Sequence, residues 1–256
     1  IDASPRKRFY FLHILLPHMP YSFLNTGKKY DITGEFDHIG LADKRPGKEA
    51  WGADNWLVKI QYQKFLHQLG FTDYWLGKIL DRLEEKKLFD PALVVVTADH
   101  GVNIRENEFR RQVDHTSVSD IASIPLFVKL PGQEKGKVSD LPATLLDIFP
   151  TLAETLKAQV PWQMTGHSLF DFPSNQRKRV IYDYGLKAYP VPDDLRPYLF
   201  AEVKRQQQIF GEFISWEKLR LRGVTDDKLL DKAVTDMPVQ SIEEVRVKLD
   251  SGVFVE

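Results

Sequence analysis

"VVVTADHGV", Val94 to Val102, decides how this chain is read. Four β-branched residues run into Asp99, His100 and Gly101, so an apolar strand ends on two side chains that ligate metals. Aspartate offers a hard oxygen and imidazole a borderline nitrogen, a pair suited to calcium, manganese, zinc or magnesium with different ease. Gly101 lets the backbone turn away at once. On residue types alone, Asp99 starts a turn and His100 is an exposed side chain. The position just past a strand, where open parallel sheets gather their ligands, supports a ligand pair equally well.

The flanks extend the reading. "RFYFLHILLPHMPY" predicts a strand over Phe9–Leu16, apolar on both faces and stopped by Pro17 and Pro20, with His13 as a core histidine inside it. Asn25 to Gly27 read as a turn, and Gly34 to Gly52 as a surface loop. Apolar residues at spacings of three and four (Trp56, Ile60, Phe65, Leu69, Leu76, Leu80 and Leu83) predict helix over Asp54–Leu88, divided at Gly70 and ended by Asp90 and Pro91. With the strand Ala92–Thr97 this makes a βαβ unit with parallel strands. A polar loop covers Asn103–Asp120, and Leu126–Leu130 is the next strand. A helix follows with Ser139 as N-cap, one apolar face (Leu145, Ile148, Leu152, Leu156) and a kink at Pro150. "KRVIYDYG" is a short strand. Helix near Leu199–Gln208, strand near Phe213–Leu221 and a short helix at Ser241–Lys248 complete the pattern. A composition shift at Phe172–Ser174 divides the chain into residues 1–172 and a C-terminal α+β segment, 173–256, packed on the first.

Two further clusters fall near the same strand ends. His18 follows the first strand, where it can touch an anionic oxygen or protonate a leaving group; its plain alternative is a capping histidine in a Pro-rich turn. "RRQVDHTSVSD" supplies Arg110 and Arg111, able to grip a sulfate or phosphate, with Asp114 and His115 as ligand or acid; the alternative is a solvated charged loop.

Bulk properties narrow the classes. With 35 basic against 36 acidic residues the chain lacks the charge of a broad nucleic-acid surface. It has no cysteine, so neither thiolate chemistry nor disulfides. No apolar run is long enough to span a bilayer, and the opening residues carry no secretion signal. The first residue is Ile, and a piece of a longer protein is expected.

Taken together, "FLHILLPHMPY", "LVVVTADHG", "IPLFVKLPGQ", "DLPATLLDIFPTLAETL" and "PWQMTGHSLFD", in this order and spacing, resemble the sulfatase branch of the alkaline phosphatase superfamily. The likeness covers about Arg8 to Asp171 and leans toward bacterial membrane-anchored sulfatase-like proteins with an extracytoplasmic, periplasmic or cell-surface, catalytic domain. It implies an α/β chain, part of an alkaline-phosphatase-like α/β/α sandwich around a largely parallel sheet. It implies metal-dependent hydrolysis of sulfate or phosphate esters through a covalent intermediate, with calcium first and manganese, zinc or magnesium as alternatives. Asp99 and His100 match the family's late metal pair, and His18 a histidine near the leaving oxygen. Arg111 with His115 is expected to balance charge on the substrate's non-bridging oxygens. The family's early acids and its nucleophile precede the first strand; "ASPRKR" does not reproduce them. The chain is therefore expected to be the C-terminal part of such a domain, inactive alone, with the missing N-terminal part and an ester substrate as its partners. Two other readings stay open: a phosphoethanolamine or phosphoglycerol transferase of the bacterial envelope, and a non-catalytic sulfatase-like domain.

Overall fold

Asp54 starts the longest element. Its carboxylate accepts from the backbone amides of Trp56 (3.0 Å) and Leu57 (3.2 Å), donors that a helix start otherwise leaves without partners. From this cap α1 runs over Asn55–Glu85 in a computed structural model that describes residues 8–29, 38–171 and 178–211. Gly70, expected to divide the helix, is buried within it. A helical glycine costs about 1 kcal/mol, too little to break so long an element once one face is packed. That face is not the one the apolar spacing predicts. Val58, Gln61, Tyr62 and Gln68 point inward, while Trp56 and Leu69 are exposed.

Before α1, β1 (Leu41–Asp43) and β2 (Ala50–Trp51) pair antiparallel within the expected surface loop. After it come β3 (Val94–Thr97), α2 (Val118–Ala122), β4 (Leu126–Lys129), a 3-10 turn (Leu145–Asp147), α3 (Ile148–Leu156), β5 (Val180–Tyr182), β6 (Ala188–Pro190) and α4 (Arg196–Phe210). The chain is α/β, as expected. The strand direction is a correction: β3 and β4 pair antiparallel, Val94 opposite Lys129 and Thr97 opposite Leu126, and β5–β6 do the same. The described strands thus form three two-stranded antiparallel sheets. The segment between β3 and β4 holds only the five-residue α2 and returns the chain from the carboxyl end of β3, as a hairpin connection does.

Phe9–Leu16 is a second correction. It forms no strand, and Phe9, Phe11 and Leu15 are 71–79% exposed. A strand requires a neighbour for its amides and carbonyls, and none of the described residues supplies one. His13 is accordingly exposed rather than a core residue.

α3 is shorter than predicted because Thr144, not Ser139, begins the turn ahead of it, through a reciprocal capping box with Asp147. Pro150 falls in the first turn, where its missing N–H has no helical partner to lose, so no kink follows. Leu145 and Leu156 are exposed, and the buried side chains are Asp147, Pro150, Thr151 and Ala153. Their burial serves a polar latch. Asp147 Oδ1 accepts from the His167 amide (2.9 Å), and Thr151 Oγ1 from the Leu169 amide (3.0 Å). Gly166 makes the approach possible, since a Cβ there would lie 1.9 Å from the Leu146 carbonyl oxygen.

The expected strand at 213–221, the helix at 241–248 and the composition shift at 172–174 lie outside the described residues or at their edge. The main core joins Met19, Tyr21, Leu41, Trp51, Val58, Tyr62, Ile104 and Phe210. A second cluster sets Val113, Val118 and Ile121 against Tyr189 of β6. No described helix is long and apolar enough to cross a membrane.

Polar contacts lock α4 to this frame. Arg105 bonds the buried carboxylate of Asp120 and, at 2.8 Å, that of Glu202; Tyr198 donates to Asp120 at 2.5 Å, and Tyr62 to Glu202 at 3.0 Å. Burial works against the charge on Glu202, but the bonds and charges of Arg205 and Arg105 outweigh it and hold its pKa below the usual range. Arg105→Ala leaves the buried Asp120 carboxylate without its cation, while Glu202 keeps Arg205 at 2.6 Å. It is expected to lower the unfolding free energy by about 3 kcal/mol, measured by urea denaturation, with Arg105→Lys recovering part of the loss.

Candidate functional site

His18 is positioned by a glutamine. Gln68 is fully buried on α1; its Oε1 accepts from the Ser22 amide (2.7 Å) and its Nε2 donates to the His18 carbonyl (2.7 Å) and the Pro20 carbonyl (3.3 Å). The turn after Leu15 is thereby fixed to the helix, and Met19 and Tyr21 enter the core beside it. His18 itself is exposed. Its Nδ1 bonds the Met19 carbonyl, which can only accept, so Nδ1 carries the proton. Nε2 is left facing Arg111 Nη1 at 3.4 Å.

Arg111 comes from the far side of the fold. The chain beyond Val102 bends into a loop whose ends meet where the Asn103 amide donates to the Arg110 carbonyl (2.9 Å). Trp51 Nε1 donates to the Asn103 carbonyl (2.6 Å), and the Arg110 amide to the Glu49 carbonyl (2.8 Å). These bonds lay the loop along β2 and bring Glu49 under both arginines: its Oε1 receives Nη2 of Arg110 and Nη2 of Arg111, each at 3.4 Å. Arg110 is 4% exposed and is not available to substrate as the sequence suggests. Tyr21 lies beside it, its phenol pushed up to about 12 by burial. Burial would raise Glu49, but its backbone hydrogen bond and the two guanidiniums win, so it stays ionised below the usual range.

Asp99 and His100 stand just past β3, as predicted. Asp99 Oδ1 accepts from the His100 amide (2.9 Å), and His100 Nδ1 bonds the Gly101 carbonyl (2.7 Å). That bond commits Nδ1 as the donor and leaves Nε2 3.7 Å from Asp99 Oδ2. Two donors on one divalent ion stand about 3–4 Å apart, and a ligating histidine normally commits its other nitrogen to a carbonyl or carboxylate. The pair fits a cation as two members of a larger set. No group of three or more metal-binding side chains exists among the described residues. Gly101 is required here: its amide donates to the Ile121 carbonyl (2.8 Å), and a Cβ would lie 2.0 Å from the Asp120 carbonyl oxygen.

The remaining candidates separate. His115 packs edge-on to Tyr189, with centroids 5.4 Å apart. Asp114 caps the turn before α2, accepting from the Thr116 amide (2.7 Å), the Thr116 hydroxyl (2.7 Å) and the Ser117 amide (2.8 Å). The structure therefore brings His18 to Arg111 and Asp99 to His100. No hydrogen bond or ion pair among the described residues joins these two couples, or His115 to either. Sequence reasoning missed Glu49 and Gln68. Nothing in the polar stretch around Glu49 marks it, whereas Gln61 and Gln68, two turns apart on a helix with apolar neighbours, signal a buried polar stripe.

The profile of the family described as Sulfatase matches residues 1–158. The multifunctional alkaline phosphatase superfamily protein PehA of Trinickia caryophylli is 26% identical over 160 residues, 59% of this chain and 31% of that protein. A sulfatase of Formosa agariphila is 32% identical over 104 residues, 41% of this chain and 20% of its own length. Arylsulfatase K of Canis lupus familiaris is 32% identical over 104 residues, covering 40% and 19%. Among solved structures, the phosphonate monoester hydrolase SpPMH from Silicibacter pomeroyi aligns with 48% of this chain and 25% of its own, at 24% identity and a TM-score of 0.43. The chain spans less than a third of the length of these curated relatives.

Gln68→Leu keeps the volume but leaves the Ser22 amide and the His18 carbonyl without their buried partner. A loss of about 2–4 kcal/mol is expected from unpaired groups of this kind. Thermal denaturation reads the stability loss, and the His18 ring resonances are expected to shift toward those of a mobile side chain.

Proposed function

This chain belongs to the sulfatase family, hydrolases of the alkaline phosphatase superfamily, and on that premise we propose that it carries the leaving-group side and half of the metal site of a sulfate or phosphate ester hydrolase. The observation that carries the reading is the meeting of His18 and Arg111, 93 residues apart in sequence, at 3.4 Å. Arg111 is a half-buried guanidinium whose contacts are all long, at 3.4 Å, and whose Nε has no partner among the described residues. Charge-assisted bonds normally close to about 2.7–2.9 Å. Such a group accommodates an incoming anionic oxygen without first giving up a strong bond.

In this reading Arg111 donates to a non-bridging ester oxygen. As the anion draws the guanidinium, His18 Nε2 is released from it, takes up a proton from solvent water and passes that proton to the departing alkoxide, which leaves as the alcohol. Nδ1 stays tied to the Met19 carbonyl and keeps the ring oriented. Asp99 and His100 would hold a divalent cation, calcium or else manganese, zinc or magnesium. Bound there, it supplies Lewis-acid polarisation of the ester and lowers the nucleophile's pKa. His115 packs on Tyr189, apart from the His18–Arg111 couple, and takes no part in this reading.

The nucleophile and the remaining ligands belong, on this proposal, to the rest of the full-length protein, an extracytoplasmic domain tethered to a membrane. The bare apolar segment Phe9–Leu15 supports docking of that remainder. A transferase using the same groups is distinguished by its acceptor, an envelope alcohol in place of water.

The full-length protein is expected to cleave an aryl sulfate or aryl phosphate in a metal-dependent way. His18→Ala and Asp99→Ala should each lower kcat/KM by about 100-fold or more; unchanged turnover in both rejects the assignment. The chain alone is expected to show no turnover. Manganese added to it should broaden the His100 ring signals only at millimolar concentration, and Asp99→Ala should abolish that broadening.

A further inference from the structure

Glu49 has no role in the reading above, yet it is the only carboxylate bonded to Arg110 or Arg111 among the described residues. Its side chain is 12% exposed, Arg110's 5% and Arg111's 24%. Neither guanidinium is satisfied: both contacts to Glu49 are 3.4 Å long, and the Nε atoms of Arg110 and Arg111 are buried without a partner among the described residues. His18 faces Arg111 Nη1 through Nε2 at 3.4 Å. Tyr21 beside Arg110 is a neutral phenol at working pH. Two guanidiniums sharing one carboxylate leave the cluster with one net positive charge in a partly shielded place.

Resting on the oxyanion role of Arg111, we infer that Glu49 is a specificity-determining residue that offsets the stronger pull of the two guanidiniums on dianionic phosphate monoesters and so shifts the seat toward monoanionic esters, sulfate monoesters or phosphodiesters. The argument is Coulombic. An anion drawn to Arg111 approaches Glu49 as well, because both groups share the same few ångströms. Repulsion from a fixed unit charge is twice as large for a dianion as for a monoanion at the same distance. A phosphate monoester, with a second pKa of about 6, is dianionic at neutral pH, whereas a sulfate monoester carries one charge. Glu49 does not touch the reacting atoms. It acts by being ionised and held in place by the Arg110 backbone bond to its own carbonyl.

The test uses the chain without metal, so turnover plays no part. Phenyl sulfate and phenyl phosphate are titrated at pH 7.5 while the Arg111 side-chain and His18 ring signals are followed by NMR. Both are expected to give saturable shifts at these two residues, and the ratio of the two affinities is the quantity compared. In Glu49→Gln the affinity for phenyl sulfate should rise about threefold and that for phenyl phosphate about tenfold, the square of the first factor. Glu49→Asp keeps the charge and should keep the wild-type preference. Arg111→Gln, useful if Glu49→Gln does not fold, should weaken both ligands and move the preference further toward the sulfate. No saturable shift in the wild-type chain, or a preference that stays fixed in the folded charge variants, overturns the inference. Discrimination lost while the full-length protein still hydrolyses esters sinks this inference alone. Discrimination intact in a full-length protein without turnover sinks the hydrolase reading alone.

Discussion

The amide of Gln68 sets the terms for everything around the candidate site. A buried glutamine is costly unless its donors and its acceptor are all used. Here they are used on one short turn, by the Ser22 amide and the carbonyls of His18 and Pro20. The turn has no sheet to lean on, because the apolar residues before it pair with nothing among the described strands. Its position is therefore dictated by the side of α1. Once it is fixed, Met19 and Tyr21 fill the core, Tyr21 lies beside Arg110, and His18 is left at the surface opposite Arg111.

The second constraint is the backbone ladder between residues 49–51 and 108–110. It is built from main-chain bonds, Trp51 amide to Glu108 carbonyl and Arg110 amide to Glu49 carbonyl, so it does not depend on which side chains the strip carries. Its consequence does. Glu49 and Arg110 are forced side by side, and Arg111 follows within reach of both Glu49 and His18. Scaffold bonds made by the peptide chain thus concentrate ionised groups whose separation in sequence gives no hint of their company.

Local features were legible in the sequence; pairing partners were not. The strand at Val94–Thr97, the aspartate and histidine after it and the long helix all follow from nearest-neighbour chemistry, and the structure has them. The direction of β4 against β3 is set by how a 28-residue excursion packs, and apolar runs look alike in either direction. Apolar spacing misplaced the inner face of α1 because Gln68 is inside for its hydrogen bonds to the turn at His18–Ser22, which no hydropathy count includes, and Gln61 is buried on the same face with no side-chain hydrogen bond among the described residues. The same blindness hid Glu49. His18 and Arg111 were chosen separately on residue type, and their meeting is information that only the folded chain contains.

The salt-bridged hub at Arg105 has a reach beyond the helix it fastens. Asp120, which it grips, belongs to the same short helix whose last turn offers the Ile121 carbonyl to the Gly101 amide. Gly101 in turn hangs directly behind His100, with no room for even a methyl group against the Asp120 backbone. A tug on Glu202 is consequently passed along three stiff couplings to the aspartate–imidazole corner some hundred positions earlier in the chain. The helix α4 works as a guy-rope for that corner, keeping it taut from a distant stretch of the same chain.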